Sequence, residues 1–298
     1  MQLETKIYQK ENTAHIGKLL KDSLRDMYSS RFLAKQLAVR DIKAQYRQSY
    51  FGIIWAFITP LTTAFVWVFL NMTGTIRLTD TGIAYPVYAF AGTLIWSILS
   101  EAINSPMSST KSARGILSKI NFPKEALLVS GIYKLLFNSA IKVLLLFVFL
   151  GIFGVGFHSS LLLFPFAFLG VILFGTTIGL FITPIGMLYN DIAKIISMGL
   201  GFMMYITPVV YAIPKEGLMK TLMEINPLTP LILTTRDLVV GLTPEYLTYY
   251  FVILIVCIPL LFLSPKKVVL YFCCLHQQAS KFFPVVSYHL FYRQIKVN

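Results

Sequence analysis

The sequence predicts an all-α integral membrane protein with six transmembrane helices, an N-terminal amphipathic interface helix, and short re-entrant outward helices before the last span. Three observations carry this expectation. Hydrophobic residues make up 56% of the chain and charged residues 13%, and mean hydropathy is +0.70, well above what a soluble core requires. Six stretches approach the roughly 20 mostly apolar residues that cross the hydrocarbon of a bilayer. The 26 Lys and Arg residues cluster on alternate connections between those stretches, as the positive-inside rule demands.

Residues 1–50 form the first region, a cytoplasmic N-terminus. Ten basic residues precede the first apolar run, among them Arg40, Lys43 and Arg47, and no apolar segment with a small-residue cleavage site follows them as in a signal peptide. Within residues 31–50, Phe32, Val39, Ile42, Tyr46 and Tyr50 share one stripe at 100° per residue, flanked by Arg40, Lys43 and Arg47. This predicts a helix lying in the interface, which grips anionic headgroups and also offers a contact to a cytoplasmic partner.

The second region, 51–264, holds the spans: Phe51–Met72, Ile83–Asn104, Gly131–Phe153, Leu161–Met187, Ile195–Ile213 and Tyr246–Leu263. An even number puts both termini on the cytoplasmic side. With that orientation, 20 of the 26 basic residues flank the spans on the cytoplasmic face. The outward connections carry only Arg77, Lys215, Lys220 and Arg236. A net charge of +13 in a soluble chain would point to nucleic acid. Here the clustering points to membrane lipids instead, and no nucleic-acid partner is expected.

Between spans two and three, Ser105 to Lys124 opens with Ser and Pro, carries Lys111, Arg114 and Lys119, and closes at Asn121 and Pro123. It reads as a short capped cytoplasmic helix able to dock into a partner's groove. The long outward connection from Pro214 to Glu245 contains Asn226, Pro227 and Pro230 beside an apolar stretch, which fits short re-entrant helices. The third region, 265–298, is a cytoplasmic tail of atypical, aromatic composition containing Cys273 and Cys274. With Cys257, these are read as inert thiols.

Three ionisable residues fall inside spans, where charge is costly unless it faces protein or water: Glu101, Lys134 and Lys142. Lys134, Asn138 and Lys142 are spaced i, i+4, i+8 and form one polar stripe. Either Lys134 reaches the cytoplasmic interface and Lys142 pairs with a neighbouring helix, or the stripe gives a cationic lining to a path for an anionic or polyhydroxylated substrate. Glu101 is expected in a salt bridge near the inner end of span two. Tyr85, Tyr88, Tyr205, Tyr211, Trp55 and Trp96 read mainly as an aromatic belt, with sugar stacking as the alternative; Tyr205 and Tyr211 join Lys134, Asn138 and Lys142 as candidates to line the translocation path.

Catalytic constellations are not visible. The sequence contains no GxxxxGK[ST] phosphate loop. The four histidines, His15, His158, His276 and His289, have no metal-ligand spacing, so no metal site is expected. The thirteen acids do not converge as a glycosyl-transfer pair or proton relay would require.

Six segments together resemble one family: RDIKAQYRQSYFGIIWAFITPL (Arg40–Leu61), WSILSEAIN (Trp96–Asn104), ILSKINFPKEAL (Ile116–Leu127), LYNDIAKI (Leu188–Ile195), YITPVVY (Tyr205–Tyr211) and NPLTPLI (Asn226–Ile232). They are similar to the permease subunits of type-two ABC exporters that move lipid-linked polysaccharides such as O-antigen, capsule and teichoic acid. The likeness spans most of residues 30–250. It implies a homodimer of six-span subunits in the bacterial inner membrane, exporting a lipid-linked glycan. ATP and Mg would be held by two separate cytoplasmic ABC ATPase chains, with no cofactor and no catalysis on this one. By position, Arg40, Asp41, Lys43 and Arg47 would belong to a gate helix, and Ser109 to Lys119, with Lys111 and Arg114, to a coupling helix, both touching the ATPase. Asn226, Pro227 and Pro230 would mark the outward re-entrant region. Two positions depart from the family: Asn190 stands where Arg is usual, and the tail after Ser264 lacks the short basic ending. The other readings carried by the residues are an exporter of drugs or small lipids and a polytopic glycan-modifying transferase.

Overall fold

The computed structural model describes residues 25, 27–47, 50–74, 83–112, 125–189 and 191–261. The expectations for residues 1–24, Arg77, Arg114, Lys119, Asn121, Pro123, Lys124, Asn190, Cys273, Cys274 and the tail 265–298 lie outside the described residues. Within them the chain is all-helical, with no strand: α1 (Arg31–Arg47), α2 (Trp55–Met72), α3 (Tyr85–Ser112), α4 (Glu125–Ile152), α5 (Phe164–Leu188), α6 (Asp191–Ile206), α7 (Leu218–Ile225), α8 (Leu228–Val240) and α9 (Leu247–Leu261). A helix thus stands in each of the six apolar stretches. Three, Tyr85–Ser112, Ala126–Ile152 and Phe164–Gly186, are long and apolar enough to cross a membrane, and Phe57–Met72 and Leu247–Leu261 are shorter apolar helices.

The central element is α3. It packs against α2, α4, α5, α6 and α8, and most of its length is buried, from Val87 to Thr110. Two apolar clusters meet on it. Ile95, Leu99 and Ile103 join Val171 and Phe174 of α5 with Leu231 of α8. Phe90, Leu94 and Ile98 join Leu135 and Leu146 of α4.

Hydrophobic association is absent between apolar helices in lipid, so such packing relies on close backbone approach at small residues. Gly175 and Gly179 of α5 supply it: a Cβ on Gly175 would strike the Ala102 side chain, and one on Gly179 the Ile103 carbonyl of α3. Gly179→Val should therefore cost about 1–3 kcal/mol. Gly151→Val, with open space around it, should cost much less; equal unfolding midpoints for the two purified variants would contradict this.

Span two differs from its expected end. The helix does not stop near Asn104 but runs through Pro106 to Ser112, so no separate helix starts at Ser105. The hydroxyls of Ser109, Thr110 and Ser112 donate to the carbonyls of Ser105, Pro106 and Ser108, satisfying polar groups inside the helix itself. Glu101 consequently sits well inside α3 rather than near its end.

Span five ends earlier than expected, at Ile206. Pro208 has no N–H and disfavours helix at Thr207, and the chain turns there with Val209 N–H donating to the Thr207 carbonyl at 2.7 Å.

The stripe on α1 is only partly its packed face. Phe32 and Val39 are exposed, as is Tyr50 beyond the helix end, while Ile42 and Tyr46 are half-buried and Ala34 and Ala38 are buried against the bundle. The alanines let α1 approach α4 closely and leave the basic residues outward.

Candidate functional site

Two polar constellations occupy α3, one near its first turns and one past its middle. The second is built where α1, α3 and α4 meet. Lys142 of α4 is 7% exposed, and its Nζ lies 2.7 Å from Oε2 of Glu101 on α3 and 2.9 Å from Oγ of Ser97. Asn138, one turn before Lys142, donates from Nδ2 to Glu101 Oε1 at 2.5 Å. Its Oδ1 accepts the Tyr46 hydroxyl of α1 at 3.1 Å. Burial, and then the Glu101 charge, hold the Tyr46 phenol above its ordinary value, so it keeps the proton it donates.

Lys134 belongs to the same stripe but not to the same network. It lines a cleft of about 220 Å³ with Gln45, Glu101, Asn104, Ser105, Ser108 and Asn138. Helical spacing thus brought Lys134, Asn138 and Lys142 to one face, and the fold commits them differently: Lys142 to an ion pair, Asn138 to a bridge, Lys134 to the cleft. The salt bridge expected for Glu101 and the neighbouring-helix partner expected for Lys142 are one and the same pair. An acid and a base, both inside spans of one chain, are natural partners, and that was the signal available in the sequence. The links from Ser97 and Tyr46 had no such signal.

The basic residues of α1 are exposed. Arg40 holds Asp41 through Nε at 2.9 Å and Nη2 at 2.6 Å. Arg40, Lys43 and Arg47 line a second cleft with Ala44. Lys111 stands in the last turn of α3, and Arg114 and Lys119 are outside the described residues.

The first constellation was missed by sequence reasoning. Arg236 of α8, expected as an outward loop charge, is 2% exposed. Its Nη1 donates to the carbonyls of Pro208 at 3.1 Å and Val209 at 3.2 Å, and its guanidinium lies 3.6 Å from the centre of the Tyr88 ring. The Tyr85 and Tyr88 hydroxyls donate to the carbonyls of Val210 and Tyr211, both at 3.0 Å. Tyr88 and Trp96 are buried core residues, not members of an interface belt. Gly92 makes room for this turn, since a Cβ there would strike the Val209 carbonyl.

Asn226 fastens the same turn from the other side. It donates from Nδ2 to Thr207 Oγ1 at 2.9 Å, and its Oδ1 accepts the Leu228 N–H that opens α8, an Asx turn. Pro227 and Pro230 stand at the start of α8, where a missing N–H leaves no helical bond unmade. Nearly every residue of α8 is buried. Tyr205 is 55% exposed beside Trp67, and Tyr211 is half-buried. The structure therefore brings Tyr211 to the anchored turn and leaves Tyr205 outside it. Among the described residues no group of His, Cys, Asp or Glu is placed to hold a metal.

A helical protein with several helices long and apolar enough to cross a membrane, a buried ion pair on its central helix and exposed basic residues on a peripheral one has the architecture of a multi-pass membrane protein. The sequence profile of ABC-2 type transporters matches residues 33–239, and the chain belongs to that family. It is 27% identical over 211 residues to the O-antigen export system permease protein RfbA of Myxococcus xanthus, covering 70% of this chain and 80% of that one. Two proteins of Klebsiella pneumoniae with the same name are 27% identical over 243 residues (77% and 90% of the two chains) and 26% identical over 235 residues (75% and 87%).

Proposed function

We infer that this chain is the membrane permease subunit of an ATP-driven exporter that carries a lipid-linked polysaccharide, O-antigen or a similar cell-surface glycan, out across the bacterial inner membrane. The observation that carries the reading is the length of the likeness: relatives named for O-antigen export align over 80–90% of their own chains. Six spans with both termini cytoplasmic would follow, with α8 as the re-entrant helix before the last span; its burial over Leu228–Val240 supports that. A homodimer is supported by α6, which has no buried residue and leaves Gly199 and Gly201 with open space, a surface on which a second copy can pack closely. ATP and Mg would be held by a separate cytoplasmic ATPase, against which the basic face of α1 and the end of α3 carrying Lys111 are offered.

On this reading Lys134, which lines the cleft and has no ion-pair partner among the described residues, is the cation of the stripe that meets an anionic or polyhydroxylated substrate. In a strain whose own O-antigen permease is deleted, this chain with its ATPase should restore surface glycan. Lys134→Leu should lower display about 10-fold at unchanged protein level, the size of a lost charge-assisted contact. Display unchanged in the variant rejects the lining role. Drug efflux without any glycan display by the unaltered chain rejects polysaccharide as the cargo.

A further inference from the structure

α1 packs along α4 mainly through small side chains. Its buried residues are Ala34 and Ala38, and its one side-chain hydrogen bond to another helix, among the described residues, is Tyr46 to Asn138. That single bond ends on the residue that also holds the buried ion pair.

The direction of every bond in the chain is fixed. Lys142 is a donor only and Glu101 an acceptor only. Glu101 Oε2 takes the ammonium and Oε1 takes the Asn138 amide. Asn138 must therefore turn its NH2 to Glu101 and its oxygen away, and only a donor satisfies that oxygen. The flipped amide would set Oδ1 against a carboxylate. Tyr46 supplies the donor, so the ion pair between α3 and α4 dictates the group that α1 must present. An aspartate at 138 would repel Glu101, and an aliphatic residue would break both contacts.

We propose that Asn138 is a positioning residue: through Tyr46 it fixes α1, and with it the exposed Arg40, Lys43 and Arg47, in one register against the α3–α4 pair. The consequence for export rests on the reading of the chain as an ATP-driven permease, because there the basic helix is the part an ATPase would push. Tyr46→Phe removes one oxygen and leaves Glu101 and Lys142 paired, so it separates positioning from stability of the core.

The test uses the full chain with its ATPase in lipid nanodiscs, and the same variants for glycan display in cells. Tyr46→Phe and Asn138→Leu should each speed amide exchange over residues 31–47 about 2- to 10-fold, the effect of one net hydrogen bond. Exchange across α5 should stay the same for Tyr46→Phe, and its melting temperature should match the unaltered protein. The double variant should loosen α1 no further than Asn138→Leu, since both break one link. Basal nucleotide hydrolysis should be unchanged with Tyr46→Phe while glycan exported per nucleotide falls at least 3-fold. Unchanged exchange over 31–47 in Tyr46→Phe overturns the proposal. So does faster exchange across the whole protein with a lower melting temperature, which would make the tyrosine a general stabiliser. Absence of glycan display by the unaltered chain counts against the export reading alone, and the exchange measurement still decides the role of Asn138.

Discussion

Glu101→Ala should destabilise the protein by about 3–5 kcal/mol, the cost of stranding one member of a buried ion pair. The Lys142 side chain is 9% exposed and that of Glu101 26%, so the two partners are not equivalent. Removing Glu101 leaves a buried ammonium with Ser97 as its remaining acceptor among the described residues. Removing Lys142 leaves a carboxylate that still accepts from Asn138 and lines the cleft. Lys142→Ala should therefore be the milder change. The double variant Glu101→Leu/Lys142→Leu should recover most of the loss, because an apolar pair removes both charges from the core. Denaturation midpoints of the purified proteins in one detergent measure all three. A double variant as unstable as Glu101→Ala would mean that the charges do more than offset each other.

Arg236→Leu should be comparably damaging, about 2–5 kcal/mol. It orphans the carbonyls of Pro208 and Val209, each costing about 1–3 kcal/mol when buried without a donor, and removes the cation from the Tyr88 face. The turn after α6, α8 and the first turns of α3 would come apart together, because Gly92 and Asn226 press the same turn. Arg236→Lys should be intermediate: it keeps the charge, but a single ammonium cannot reach two carbonyls and lie flat on a ring. Hydrogen exchange over residues 207–211 should rise first. Protection there equal to the unaltered protein would show that Tyr85 and Tyr88 hold the turn without the arginine.

The two constellations differ in how far the sequence reveals them. Lys134, Asn138 and Lys142 are legible because a helix repeats every 3.6 residues and puts i, i+4 and i+8 on one face whatever surrounds it. Glu101 is conspicuous because a carboxylate in an apolar run is costly. Arg236 carries no such flag. It lies in a polar-looking stretch between Thr235 and Asp237, and only the packing of α8 against α3 and α5 makes it a buried group. The same holds for Phe32 and Val39, whose periodicity marks an amphipathic helix but does not say that Ala34 and Ala38 would be buried and these two left exposed.

Composition and period by themselves determined that this chain is a bundle of membrane helices, roughly where each begins, which face carries its charges, and, through the resembling motifs, its family. These are local properties, set by the lengths of apolar runs and the geometry of a single helix. Which charge meets which partner, that α3 runs on through Pro106, and which glycines must stay small were decided only in the tertiary structure. Those outcomes depend on distances between segments far apart in the chain, and no one-dimensional pattern encodes a contact of 2.7 Å between Glu101 and Lys142.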